Sequence, residues 1–193
     1  MSFDVEYRRL AAYRRTTMTS VLAFSGSLRA QSFNTRIVRA LTSLAPHGVK
    51  VPFFDISDLP LYNQDLDGDS LPEVVARLRA AVAEADGVVI ATPEYNHSYS
   101  AVTKNVIDWA SRPFAAGPIL KKPAMVIAAG PGPGGGVHAI AATSELFGLL
   151  GCPVVATVGV AGAHEKINEN NEIVDQELAR QLQDGLSGFL NHA

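Results

Sequence analysis

Five short apolar segments alternate with five amphipathic ones, and this alternation constrains the fold more than any other feature of the chain. Each apolar segment has the length of a buried strand; they lie at 20–26, 49–56, 87–93, 123–130 and 153–160. The segments that follow them have helical spacing; they lie at 32–44, 70–85, 102–113, 137–150 and 172–190. Strands that are apolar on both faces need helices on both sides, so the pattern predicts an α/β fold with a parallel sheet.

Five strands favour one particular arrangement of such a sheet. Right-handed crossovers leave few topologies, and the expected fold is a flavodoxin-like three-layer sandwich with strand order 2-1-3-4-5. Ser70 and Glu73 fit a capping box that opens the second helix. Ligands of such folds bind beyond the carboxyl ends of the strands at the switch point. That places a site in the loops 26–34, 93–99 and 130–136.

Composition excludes several classes of protein. The chain has 193 residues, enough for one domain that buries about 70% of its surface on folding. Its content of 47% hydrophobic and 18% charged residues is that of a globular protein. The longest apolar runs are too short for a membrane span, and a net charge of -3 predicts no nucleic-acid partner. The single cysteine, Cys152, excludes an internal disulfide framework.

The first 17 residues differ from the rest of the chain. They carry four arginines and two acids, and Met18 stands directly before the first strand. We treat 1–17 as an N-terminal extension and 18–193 as the domain. The extension could be a targeting arm, an upstream start or an arm that packs on a partner subunit. It is too polar for a secretory signal, so a cytoplasmic location is expected.

The loop at 26–34 has the chemistry of a phosphate site. It enters a helix whose N-terminus presents unpaired N–H groups. Ser27 and Ser32 add hydroxyls, Asn34 adds an amide, and Arg29 adds a cation that can pair with phosphate. The alternative is a plain Ser32 cap beside a solvated Arg29. The loop lacks the pattern of a P-loop nucleotidase.

The loop at 93–99 is suited to the edge of a flat heterocycle. Pro93 fixes the backbone, so the amides that follow can point outward. Tyr95 can cover a ring face, and Glu94 is either an acid or base group or a solvated carboxylate. The alternative is an ordinary loop with a half-buried tyrosine.

Two further patterns carry less information. Residues 130–135 match the glycine fingerprint of dinucleotide sites, but no acidic residue lies near Val155 to bind a ribose, so we favour a loop flanking a ring. The histidines show no metal-ligand spacing and no metal site is expected; they are His47, His97, His138, His164 and His192.

Three segments occur together in a characteristic order and spacing: GSLRAQSFN at 26–34, PEYNHS at 93–98 and KNVIDWASRP at 104–113. With them, roughly residues 18–190 resemble the NADPH-dependent FMN reductase family, especially its chromate and quinone reductase branch. The resemblance implies an FMN site. The matching phosphate binders are Ser27, Arg29, Ser32 and Asn34, and the matching ring-side residues are Pro93, Glu94, Tyr95 and Asn96. The expected site also includes Leu28, Phe33, His97 and Gly130.

The expected function follows from this resemblance. It is an FMN-dependent NAD(P)H oxidoreductase that passes hydride from NADPH or NADH to a quinone, chromate, azo compound or similar small acceptor. The flavin carries the chemistry, so no catalytic side chain is expected, and turnover is expected to be ping-pong. The alternative is a flavodoxin-like electron carrier without substrate turnover. A flavin-free response regulator is disfavoured because strands 1 and 3 lack the acidic residues it needs.

Family members are usually dimers or tetramers. The resemblance therefore implies a homodimer or homotetramer, built partly on the 99–113 helix around Lys104, Asp108 and Arg112.

Overall fold

A computed structural model describes residues 18–192 and contains a five-stranded parallel sheet. The sheet strands are β1 (Thr19–Ser25), β2 (Val49–Lys50), β3 (Gly87–Thr92), β6 (Ala124–Ala129) and β7 (Val154–Val160). Their order is β2-β1-β3-β6-β7, which is 2-1-3-4-5 when only these five are numbered. A separate two-stranded hairpin is formed by β4 (Glu94–Tyr95) and β5 (Ser98–Tyr99). The predicted fold class and strand order are confirmed.

Helices cover both faces of the sheet. They are α1 (Phe33–Leu44), α2 (Glu73–Glu84), α3 (Ala101–Ala110), α4 (Val137–Leu149), α5 (Ala163–Lys166) and α6 (Gln176–Ser187). Short 3-10 turns lie at Gln64–Leu66 and Gly188–Asn191. Alternate residues of the strands enter two separate cores, one against α1 and α6 and the other against α2, α3 and α4. None of the described helices combines the length and the hydrophobicity needed to cross a bilayer.

Three local predictions were wrong. The second strand was expected over 49–56 but pairs with β1 only at Val49–Lys50, because Pro52 has no N–H for the ladder; a single bridge from Ala23 to Phe53 continues it. The capping box fails because α2 begins after extended Pro72, which leaves Ser70 too early to cap it. The last helix begins at Gln176 rather than 172, where Asp175 accepts a hydrogen bond from the Leu178 N–H at 2.7 Å.

The structure describes the predicted domain from residue 18 to residue 192 but not the predicted extension before it. The N-terminal extension at 1–17 lies outside the described residues, and the domain from 18 onward remains an interpretation of the fold.

Candidate functional site

A cleft of about 430 Å³ lies at the carboxyl ends of β1, β3 and β6, where the strand order predicted it. All three predicted loops line it. The expected residues that line it are Ser27, Arg29, Ser32, Phe33, Asn34, Pro93, Glu94, Tyr95 and Gly130. The lining also includes the last residue of β6, Ala129, and further residues of the third loop, Pro131, Gly132, Gly134, Gly135 and Gly136.

The first loop presents hydrogen-bond donors around the start of α1. Ser32 is the N-cap, and its Oγ accepts a hydrogen bond from the Thr35 N–H at 3.3 Å. Within the described part of the chain, the N–H groups of Phe33 and Asn34 have no partner, as expected in the first turn of a helix. The exposed Arg29 guanidinium donates to the Gln31 carbonyl at 3.0 Å. Ser32 is thus both a cap and part of the cleft wall.

Asn34 joins the first loop to the third. Its Nδ2 donates to the Ala129 carbonyl and its Oδ1 accepts from the Ala129 N–H, both at 3.0 Å and both buried. Sequence reasoning had assigned this amide to phosphate binding. In the structure its polar atoms hold the end of β6 against the start of α1, so it positions the cleft.

Buried hydroxyl groups hold the first loop against the second. Ser100 Oγ donates to the Gly26 carbonyl at 2.6 Å, and Thr103 Oγ1 donates to Thr92 Oγ1 at 2.8 Å. A Cβ on Gly26 would stand 2.0 Å from Thr103 Oγ1, so only glycine fits here. Ser100 and Thr103 were missed because their partners are distant in the sequence.

The second loop is a β-hairpin rather than an irregular loop. Glu94 pairs with Tyr99 and Tyr95 with Ser98, and the turn residues Asn96 and His97 have left-handed backbone angles, φ 50° and 58°. Asparagine tolerates this conformation in two-residue hairpin turns. Tyr95 lines the cleft, and the residue is 54% exposed.

Three of the expected site residues do not line the cleft. Asn96 and His97 form the tip of the hairpin. Leu28 lies on the far side of the first loop, in a neighbouring cleft of about 310 Å³ that shares Ser27 and Arg29.

Glu94 anchors the hairpin to the N-terminus of α4. Its Oε2 accepts hydrogen bonds from the N–H groups of His138 at 2.9 Å and Ala139 at 3.2 Å. Desolvation acts to raise the pKa of Glu94, but these bonds and the His138 side chain hold the pKa below its ordinary value. The carboxylate therefore acts as a fixed anion that caps α4.

His138 also meets His97. Their Nδ1 atoms are 3.1 Å apart, and His138 Nδ1 lies 3.2 Å from Glu94 Oε1. Two of the histidines therefore meet in the structure, although the sequence shows no metal-ligand spacing among them. No local pattern could have revealed the contact, because the two histidines are 41 positions apart in the chain.

The third loop forms an open wall of small residues. A Cβ on Gly130, Gly132 or Gly134 would meet no heavy atom within 4 Å. Gly136 differs: its φ is +73°, and a Cβ there would lie 2.3 Å from the Ala128 Cβ. The glycines near the cleft leave space beside it, whereas Gly136 allows α4 to pack closely on β6.

Comparison with known proteins points to a single family. Residues 19–166 match the NADPH-dependent FMN reductase family. The chain is 38% identical over 163 residues to a 2-hydroxy-1,4-benzoquinone reductase from Burkholderia sp, covering 82% of this chain and 87% of the relative. It is 33% identical over 174 residues to a quinone reductase from Escherichia coli K12, covering 88% and 92%.

Among solved structures, the chain is similar to the flavoenzyme NAD(P)H:(acceptor) oxidoreductase FerB from Paracoccus denitrificans. The TM-score is 0.77 with 32% sequence identity, over 91% of this chain and 97% of that one.

Proposed function

This chain belongs to the NADPH-dependent FMN reductase family, and we propose that its cleft holds FMN while electrons pass from NAD(P)H to a quinone. The family uses FMN and NAD(P)H, and the relatives are named quinone reductases. The observation that carries the proposal is the set of donors at the start of α1 that have no partner among the described residues; they lie in the same cleft as Tyr95 and the open glycine wall.

The donor set fits the terminal phosphate of FMN. The N–H groups of Phe33 and Asn34 point out of the helix end, where the macrodipole favours an anion. The Ser27 and Ser32 hydroxyls lie beside them, and Arg29 supplies a full positive charge. Among the residues that the structure describes, the exposed Arg29 guanidinium is hydrogen-bonded only to the Gln31 carbonyl, so it can turn to a phosphate without breaking a core contact.

Replacing Arg29 with alanine is expected to weaken FMN binding by about 1.5–3 kcal/mol, the range for a hydrogen bond to a charged group. Titration of the apoprotein with FMN, followed by flavin fluorescence, measures the change. The control is Arg77→Ala, since Arg77 is an exposed arginine on α2, away from the cleft. If both variants bind FMN as tightly as the wild type, Arg29 is not a phosphate ligand.

Tyr95 and the glycine wall form the ring side of the proposed site. When bound, FMN would carry out the transfer of hydride and electrons from donor to acceptor. Pro93 joins β3 to β4 and so fixes where the hairpin begins. Glu94 keeps the hairpin against α4 through two hydrogen bonds. The half-exposed Tyr95 is then free to cover a ring without a change in the core.

We propose a ping-pong mechanism in which donor and acceptor use the same opening in turn. Tyr95 lines the cleft and is exposed, so the side that carries it is open to solvent, and we expect both substrates to enter there. Chromate and azo compounds also belong to the proposed acceptors, because a reduced flavin can pass its electrons to different small acceptors.

Double-reciprocal plots with varied NADPH and quinone are therefore expected to be parallel. Tyr95→Ala is expected to weaken the binding of the flavin or of the transition state by about 1–3 kcal/mol, the scale for stacking on an aromatic ring. Its free energy of unfolding should change by only about 0.5 kcal/mol, since Tyr95 is a surface residue. Intersecting lines would show that donor and acceptor bind together. If the flavin absorption spectrum does not change on anaerobic mixing with NADPH or NADH, and no quinone is turned over, the electron-carrier alternative is favoured.

We also propose that the protein is a homodimer or homotetramer. Lys104 Nζ contacts both carboxylate oxygens of Asp108 at 2.6 and 2.8 Å within one chain, so this pair does not by itself indicate a partner. The apolar surface beside α3 is what supports the proposal: Leu28 is 58% and Leu61 78% exposed, and both border a small apolar pocket with Val102.

Light scattering of the full chain is expected to give a mass of at least two chains, and Leu61→Ser is expected to shift it toward one. The control is Val174→Ser, which removes an exposed apolar side chain from the loop before α6. A wild-type protein that is monomeric at micromolar concentration would contradict the proposal.

A further inference from the structure

Glu94, His97 and His138 bring three metal-binding side chains together at the rim of the cleft. One ligand atom from each lies within 4.8 Å of the others. We propose that these residues form a binding site for one divalent transition-metal ion, with Zn²⁺ as the representative case. The proposed FMN site does not require this ion, and the metal site does not depend on FMN.

Two of the three spacings between ligand atoms are close to those of tetrahedral coordination, and the third is at most 4.8 Å. Zn–N and Zn–O bonds of about 2.0–2.2 Å at a tetrahedral angle place neighbouring ligand atoms about 3.3–3.5 Å apart. His138 Nδ1 lies 3.2 Å from Glu94 Oε1 and 3.1 Å from His97 Nδ1. Small movements of exposed side chains are enough to admit an ion between the three atoms.

The local structure holds two of the three ligands in place. Glu94 Oε2 accepts the two N–H groups at the start of α4, which leaves Oε1 turned toward the histidines. His138 stands in the first turn of that helix. Hydrogen bonds of this kind orient metal-ligating carboxylates and raise metal affinity.

The third ligand, His97, lies in the turn of the hairpin. Its left-handed backbone, with φ 58°, carries the imidazole across to α4. The two rings pack edge to face with centroids 4.3 Å apart. All three side chains are reachable from solvent, so an ion can enter without unfolding.

The ligand chemistry selects the class of ion. Two imidazoles and one carboxylate suit Zn²⁺, Ni²⁺, Co²⁺ and Cu²⁺, whereas Mg²⁺ and Ca²⁺ prefer oxygen ligands alone. The described residues offer three ligands at this place, and water completes the shell, as in zinc sites with three protein ligands. A bound ion would link the hairpin that carries Tyr95 to the start of α4.

The test is metal titration of the full, untagged chain, because a histidine tag would bind the same ions. Isothermal titration with Zn²⁺ in excess Mg²⁺ is expected to give one ion per chain, and Co²⁺ is expected to produce visible d–d absorption of a four-coordinate site. His138→Ala and His97→Asn should each weaken Zn²⁺ binding by more than about tenfold, which is 1.4 kcal/mol. Asparagine is chosen at 97 because it tolerates the left-handed backbone.

The matched control is His164→Ala. His164 is also an exposed histidine beside a carboxylate, with its Nε2 3.7 Å from Glu165 Oε1, and its loss should leave Zn²⁺ binding unchanged. The proposal is overturned by the absence of wild-type binding up to about 1 mM Zn²⁺, or by equal binding in the wild type and both site variants. Circular dichroism checks that the variants are folded. Because the readouts are stoichiometry and spectra, a failure to bind FMN would leave this result intact.

Discussion

Gly136→Ala is expected to lower the free energy of unfolding by about 2–5 kcal/mol. The left-handed backbone at this position, φ +73°, disfavours any residue with a Cβ by about 1–2 kcal/mol. The new methyl group would also stand 2.3 Å from the Ala128 Cβ. Ala128 is fully buried in β6, an interior strand of the sheet, so it cannot move away, and overpacking of this kind costs about 1–3 kcal/mol.

Urea denaturation followed by circular dichroism measures this change. Gly132→Ala is the control in the same loop, since a Cβ there meets open space and the residue has no positive φ; it should stay within about 0.5 kcal/mol of the wild type. Equal stability of the two variants would show that the contact between α4 and β6 tolerates an extra methyl group.

The second large effect is expected at Asn34. Asn34→Ala should lower the free energy of unfolding by about 2–4 kcal/mol, because it leaves the buried N–H and carbonyl of Ala129 without partners and each unsatisfied group costs about 1–3 kcal/mol. FMN affinity should fall as well, since the end of β6 is no longer held against the start of α1.

The same denaturation experiment tests this expectation, with hydrogen exchange of the Ala129 amide as a local probe. Gln183→Ala provides the comparison, because it removes an exposed side-chain amide from α6 and should have little effect. An Asn34→Ala protein with wild-type stability would mean that water satisfies Ala129 as well as the side chain does.

Much of the fold could be predicted from the sequence because it depends on short-range patterns. Apolar runs, helical spacing and the Ser32 cap all act over a few residues. Right-handed crossovers then order the strands, so three loops far apart in sequence could be placed at one sheet edge. The boundaries that failed, at 49–56 and 172–175, are places where a proline or an aspartate cap overrode an otherwise regular pattern.

The sequence alone therefore determined the sheet, its order and the loops that line the cleft. Only the tertiary structure decided what particular side chains do there. Asn34 forms hydrogen bonds with a residue 95 positions away in the sequence, and Ser100 with one that is 74 positions away. His97 contacts His138, which is 41 positions away. Such contacts depend on helix rotation and on the turn of a hairpin, which shift by ångströms without changing any local pattern. Hydrogen bonds need their donor and acceptor atoms within about 3 Å, so only folded coordinates could show them.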